Sequence, residues 1–166
     1  MNTVIDANLL IALFKKSTAE DDRVRLDGFL TEIKFARKRI IIPSPVLAEF
    51  AAKANQHELD FIFTNKLFQI ASFDAKAAIV CGDMLRVWAT GLPDEKKDRH
   101  KAKFDMQILA IAKSIGAVRI ITSDKNLKAK AIKENITSIG ISDLPIPENA
   151  KQQKLSFDSS ELKGAK

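Results

Sequence analysis

Cysteine is nearly missing from this chain: Cys81 is the single one among 166 residues. A disulfide framework is therefore excluded, and one Cys with only two histidines, His57 and His100, cannot build a thiolate-rich zinc site. Such sparing cysteine use suits a reducing compartment. Tyrosine is absent and tryptophan occurs once. The aromatic supply is ten phenylalanines, placed mostly at core spacing, and no base-stacking platform stands out. No apolar run approaches the roughly 18 residues of a membrane span. The apolar stretch from Val4 to Phe14 is interrupted by Asp6, and its lysines, Lys15 and Lys16, follow it instead of preceding it. That is not the order of a signal peptide. A cytoplasmic protein with no membrane attachment is the expectation.

What is present is a globular composition, 46% hydrophobic and 29% charged, which excludes wholesale disorder. The length suits one domain large enough to bury a core without staples. Residues 1–145 are expected to form that domain. After Pro145 and Pro147 the chain turns polar, so residues 146–166 are read as a tail. Against 21 Asp and Glu stand 27 Lys and Arg, a net charge of +6. A moderate positive excess favours an anionic partner, with nucleic acid first, although a merely soluble basic surface would explain it as well.

Along the chain, strand-like and helix-like segments alternate. Thr3-Val4-Ile5, Ile40-Ile41-Ile42, Phe68 to Ala71, Val118 to Thr122 and Ile136 to Ile139 read as strands, the second buried on both faces because it is β-branched throughout. Helices are expected over Leu9 to Lys16, over a segment capped by Ser17 or Thr18 that buries Val24, Leu26, Phe29, Leu30, Ile33 and Phe35, and after Ser44-Pro45 with Ser44 as the cap. Further helices follow at Glu58 to Lys66, Asp74 to Ala89, Ala102 to Ile115 and Lys125 to Asn135. In the Asp74 to Ala89 helix, Ala78, Val80, Cys81, Met84, Leu85 and Trp88 are placed to face the core. The sum is an α/β fold, a three-layer α/β/α arrangement around a parallel sheet of four to five strands. Ligands of such sheets gather at the carboxyl ends of the strands.

Acids stand where that rule makes them matter. Asp6 ends the first strand and Asp124 follows the Val118 to Thr122 strand. Each also sits where an Asp commonly caps the next helix. Asp105 is harder to explain structurally. At about 100° per residue it falls inside the apolar arc drawn by Phe104, Ile108, Leu109, Ile111, Ala112 and Ile115. A carboxylate aimed at a core must be paired, neutralised or metal-bound. Glu49 lies at the edge of the apolar stripe of its own helix, where a solvated Glu is also at home. Four carboxylates meeting in one crevice would repel one another by about 4 kcal/mol for each pair at about 4 Å and an effective dielectric of about 20. Bound cations or shared protons resolve that repulsion. All-oxygen ligands select a hard ion, Mg²⁺ or Mn²⁺.

Val4-Ile5-Asp6-Ala7-Asn8, Ser44-Pro45-Val46-Leu47-Ala48-Glu49-Phe50, Asp105-Met106-Gln107-Ile108-Leu109-Ala110 and Ile120-Ile121-Thr122-Ser123-Asp124 resemble, in order, the four acidic motifs of PIN-domain ribonucleases. Phe68-Gln69-Ile70-Ala71-Ser72-Phe73-Asp74 resembles the family's middle segment. The short form is most similar to the VapC-type toxins of toxin–antitoxin pairs. The resemblance implies a catalytic set of Asp6, Glu49, Asp105 and Asp124, with Asp6, Asp105 and Asp124 as metal ligands. It also implies supporting roles for Asn8 beside the first acid and Thr122 near the last. Two positions depart from the pattern: Ala7 replaces a common hydroxyl residue, and Asn126 stands where a further acid is common.

The implied activity is Mg²⁺- or Mn²⁺-dependent hydrolysis of RNA phosphodiester bonds, leaving 5′-phosphate and 3′-hydroxyl ends, with Glu49 or Asp124 orienting or deprotonating the water. Lys101, Lys103 and Lys125 are the candidates for gripping RNA phosphates, in a basic surround that also includes Lys96, Lys97, Arg99, Lys128 and Lys130. An antitoxin protein is the implied partner. A homodimer through the N-terminal helices is a second expectation, although core packing explains their apolar residues equally well. Two other readings stay open. One is a noncatalytic PIN-like module for RNA binding or assembly. The other is a haloacid-dehalogenase-like phosphatase with Asp6 as nucleophile, which expects a second Asp where this chain has Asn8.

Overall fold

Short runs with no polar face build the centre of the molecule. In the computed structural model, which describes residues 2–90 and 99–148, the strands are β1 (Asn2–Ile5), β2 (Ile40–Pro43), β3 (Phe68–Ala71), β4 (Ala117–Ile121) and β5 (Thr137–Ile139). They form one parallel sheet in the order β3-β2-β1-β4-β5. Ile40, Ile41 and Ile42 are each at most 2% exposed. Successive strand residues point to opposite faces, so both faces of the sheet are covered and the architecture is the expected α/β sandwich of helices around strands.

The helices are α1 (Ala7–Phe14), α2 (Glu20–Phe35), α3 (Ser44–Ala51), α4 (Gln56–Thr64), α5 (Ala75–Thr90), α6 (Arg99–Ser114) and α7 (Lys125–Lys133). A 3₁₀ turn at Ile141–Asp143 follows the last strand. Leu26, Phe29 and Ile33 form the buried stripe of α2, at the three- and four-residue steps of a helix face. Gly116, just past α6, has a φ of 66°, the left-handed conformation that glycine adopts without a Cβ clash. Among the described residues no helix is long and apolar enough to cross a membrane.

Several local expectations need correction. Phe35 is 91% exposed, because two residues beyond Ile33 the helix has turned it to the opposite side. Neither Ser17 nor Thr18 caps α2; the N-cap is Ala19, without a side-chain bond, and the Thr18 hydroxyl donates instead to the Ala12 carbonyl at 2.8 Å. Ser44 is not a cap either. It is the first residue of α3, and its Oγ accepts the Phe73 amide at 3.0 Å, fastening the end of β2 to the loop after β3. In α5 the buried alanine is Ala77, not the exposed Ala78. The start of α4 lies two residues earlier than the periodicity suggests, because Asn55 and Glu58 form a reciprocal capping box.

The segment after β5 returns to the beginning of the chain. Arg25 of α2 donates to the Leu144 carbonyl, and Leu144 is 1% exposed. The Pro147 ring lies so close to Gly28 of α2 that a Cβ there would run into it. Residues 91–98, with Lys96 and Lys97, and the residues beyond 148 lie outside the described residues.

Candidate active site

The strand order places a topological switch between β1 and β4. From β1 the chain steps outward to β2 and β3, then crosses back to β4 on the other side of β1. The helices that leave β1 and β4 therefore diverge, and a crevice opens at the carboxyl ends of these two strands. Asp6 is the first residue after β1, and Thr122 and Asp124 follow β4.

The crevice has a volume of about 550 Å³, and Asp6, Asn8, Glu49, Lys101, Asp105 and Asp124 all line it. Phe104, Ile108 and Leu127 supply apolar wall. The four acids come from the ends of β1 and β4 and from α3 and α6, so the fold gathers residues spread across the chain. Thr122 is fully buried behind them. Lys103 and Lys125 are exposed and stand outside the crevice lining.

Each strand-end acid has two tasks. Asp6 is 4% exposed and caps α1, accepting the Leu9 amide at 2.9 Å, while its Oδ2 accepts the Thr122 hydroxyl. Asp124 caps α7 through Oδ1, accepting the amides of Asn126 at 2.7 Å and Leu127 at 3.2 Å. The capping and crevice readings of these residues are thus compatible. The cap fixes the carboxylate's direction, and the helix dipole favours its negative charge.

Burial raises the Asp6 carboxyl above its ordinary value; the Thr122 and Leu9 bonds pull it down, and the charges of Asp124 and Glu49 push it up again. That electrostatic reach of Asp124 and Glu49 onto Asp6 is what a converging acid set produces. Burial would raise Asp124 as well, but the bond from Lys101, the two cap amides and the Lys101 charge outweigh it and hold its carboxyl low.

Lysines answer two of the acids. Lys101 of α6 pairs with Asp124 Oδ2 at 2.9 Å. Lys130 of α7 pairs with Asp105 Oδ2 at 2.5 Å, and there both side chains are largely buried, 16% and 8% exposed. The sequence reading missed this second pair, having placed Lys130 among the phosphate-gripping residues. Its signal was present. Lys130 lies one turn beyond Leu127 and next to Ala131, the two buried residues of α7, so it borders the inward stripe.

The donor set is carboxylate oxygen throughout, without thiolate or imidazole, which fits a hard divalent cation and no soft one. Among the described residues no three His, Cys, Asp or Glu side chains are gathered as a set that could hold a metal ion. The donors are of the right type, and two of them, Asp124 and Asp105, are paired with Lys101 and Lys130.

The PIN domain family model matches residues 3–133. No curated relative matches the chain by sequence. Among solved structures, the fold is similar to that of VapBC2 from Rickettsia felis bound to a DNA fragment from its promoter, with a TM-score of 0.58 and 18% identity, covering 84% of this chain and 98% of the other. It is also similar to DNA-bound VapBC from Salmonella typhimurium, with a TM-score of 0.54 and 20% identity, covering 85% and 98%. The family match spans the sheet through β4 and every acid of the crevice, and the chain belongs to the PIN domain family.

Proposed function

We propose that the chain is a divalent-cation-dependent endoribonuclease, the toxin of a toxin–antitoxin pair, acting in the cytoplasm. The observation that carries this reading is the meeting of Asp6, Glu49, Asp105 and Asp124 in one crevice at the switch point of the sheet. Membership of the PIN family supports nuclease chemistry, and the likeness to two VapBC structures supports an antitoxin partner.

In this reading Asp6, Asp105 and Asp124 would hold Mg²⁺ or Mn²⁺. When bound, the ion supplies Lewis acidity toward water and toward the phosphoryl oxygens. The chain's own groups do the rest. The Leu9 amide and the Thr122 hydroxyl hold the Asp6 carboxylate in one orientation, so no reorientation is needed at the moment of reaction. Glu49, exposed at the crevice, accepts a proton from the attacking water. Lys103 and Lys125 grip RNA phosphates beside the crevice, and Lys101 does so when it leaves Asp124. Asn8, which lines the crevice, would support Asp6 in this reading.

A noncatalytic RNA-binding module is the second reading. The lysine pairs on Asp105 and Asp124 favour it, since each neutralises an acid that hydrolysis would use. One assay separates the two. Purified protein is incubated with tRNA, rRNA and mRNA in Mg²⁺, in Mn²⁺ and in chelator, beside Asp6→Asn and Asp105→Asn. Cleavage that needs the ion and is lost in both variants, with circular dichroism unchanged, supports the nuclease. Equal cutting by both variants overturns it, and salt-sensitive RNA binding without cleavage supports the module instead.

A further inference from the structure

Asp105 presents an electrostatic problem that the rest of the crevice does not share. Asp6 has a backbone amide and a hydroxyl to bind, and Asp124 has two amides and a partly exposed position. Asp105 is 5% exposed in the middle of α6, between Phe104 and the fully or nearly buried Met106, Ile108 and Leu109. A carboxylate enclosed in this way needs a partner of opposite charge. Lys130 is that partner, at 2.5 Å.

The other basic groups of α7 are engaged differently. Lys125 is exposed, and Lys128 reaches Asp143 at 3.5 Å on the surface. Lys130 is 16% exposed and does not line the crevice, although Asp105 does. It reaches the acid from the α7 side, which does not suit it to grip a phosphate lying in the crevice. The Lys101–Asp124 pair is the wetter of the two, with side chains 49% and 23% exposed, and water screens it.

We propose that Lys130 is a built-in substitute for the divalent cation: it neutralises Asp105 in the ion-free protein and opposes the ion electrostatically when the ion arrives. The inference rests on the nuclease reading, because it takes Asp105 as a ligand. Two positive charges then answer one buried carboxylate. Whichever is present supports the fold, and each lowers the other's gain. Lys130 is accordingly a positioning residue, acting through Asp105 and not on the substrate.

Thermal unfolding of the full chain in chelator and across a Mn²⁺ titration tests this, with calorimetric Mn²⁺ binding as the second readout. Lys130→Met is expected to melt earlier than wild type in chelator and to recover with Mn²⁺, so that its ion-induced rise in Tm exceeds the wild-type rise. Its Mn²⁺ affinity is expected to increase by about tenfold, since a like charge beside the ligand is gone. Lys130→Arg should behave as wild type. Lys130→Gln, which keeps a neutral donor, should fall between and serves if the Met variant does not fold. In an Asp105→Asn background the Lys130→Met change should no longer lower the Tm in chelator, because the buried lysine has lost its partner. Equal ion-induced shifts and equal affinities in wild type, Lys130→Met and Lys130→Gln overturn the inference and leave the nuclease reading intact. No Mn²⁺ response in any of the proteins overturns both.

Discussion

The Thr122 hydroxyl joins the two strand-end acids: it donates to Asp6 Oδ2 and accepts the backbone amide of Asp124 at 3.0 Å. Thr122 has no exposed surface, so neither bond can be replaced by water without opening the sheet end. Thr122→Val strips a donor from one buried group and an acceptor from another. A loss of about 1–3 kcal/mol in urea unfolding is expected. Thr122→Ser should restore most of it. If the Val and Ser variants unfold alike, the hydroxyl has no such role.

Helix α4 depends on its cap. Asn55 Oδ1 accepts the Glu58 amide at 3.0 Å, and Glu58 Oε2 accepts the Asn55 amide at 2.9 Å. Asn55→Ala is expected to cost about 1 kcal/mol, and Asn55→Asp much less. Denaturant midpoints of the three proteins check the order, with the crevice and any cleavage activity unaffected.

Asp143 makes stability depend on acid pH. The Gly140 amide, at 2.6 Å, holds its carboxyl below the ordinary value; slight desolvation opposes this, and the nearby Lys128 and Arg25 assist. A carboxyl lowered on folding stabilises the protein above its unfolded value of 3.8, and that contribution is lost as pH falls through the lower folded value. Asp143→Asn should therefore be less stable than wild type at neutral pH. The gap should close as the pH drops below 3.8, measured as paired unfolding midpoints across the acid range.

The sheet was legible because its strands are unambiguous. Ile40-Ile41-Ile42 has no polar face, and helix-length segments separate it from its neighbours, which forces parallel pairing. Asp105 was legible for the same reason, as a charge at an apolar position in a regular helix. Phe35 was misread because hydrophobicity at the end of a helix says nothing of whether another element waits beside it. Ser44 was misread because its distant partner, the Phe73 amide, is set by strand adjacency and not by local sequence. For the Lys130–Asp105 pair the sequence carries half of the signal, the place of Lys130 beside the inward stripe of α7, and not the other half. Twenty-five positions separate the residues, and a lysine near an inward stripe does not name the acid it will meet.

Gly28 is where α2 lies against the Pro147 ring. Gly28→Ala gains helix propensity of up to about 1 kcal/mol but drives a Cβ into the proline ring. The expected result is release of the segment around Leu144 to Pro147, seen as faster exchange of the Leu144 amide, which bonds the Ile141 carbonyl. Unchanged protection there would show that the ring shifts without cost.

That contact also sets an order of events during synthesis. Helix α2 emerges early, yet the residues that fill its outer groove are made more than a hundred positions later. A growing polypeptide with all five strands complete would still carry an unlatched α2. Helix α2 gains its contact with the Pro147 ring only after that proline has been made.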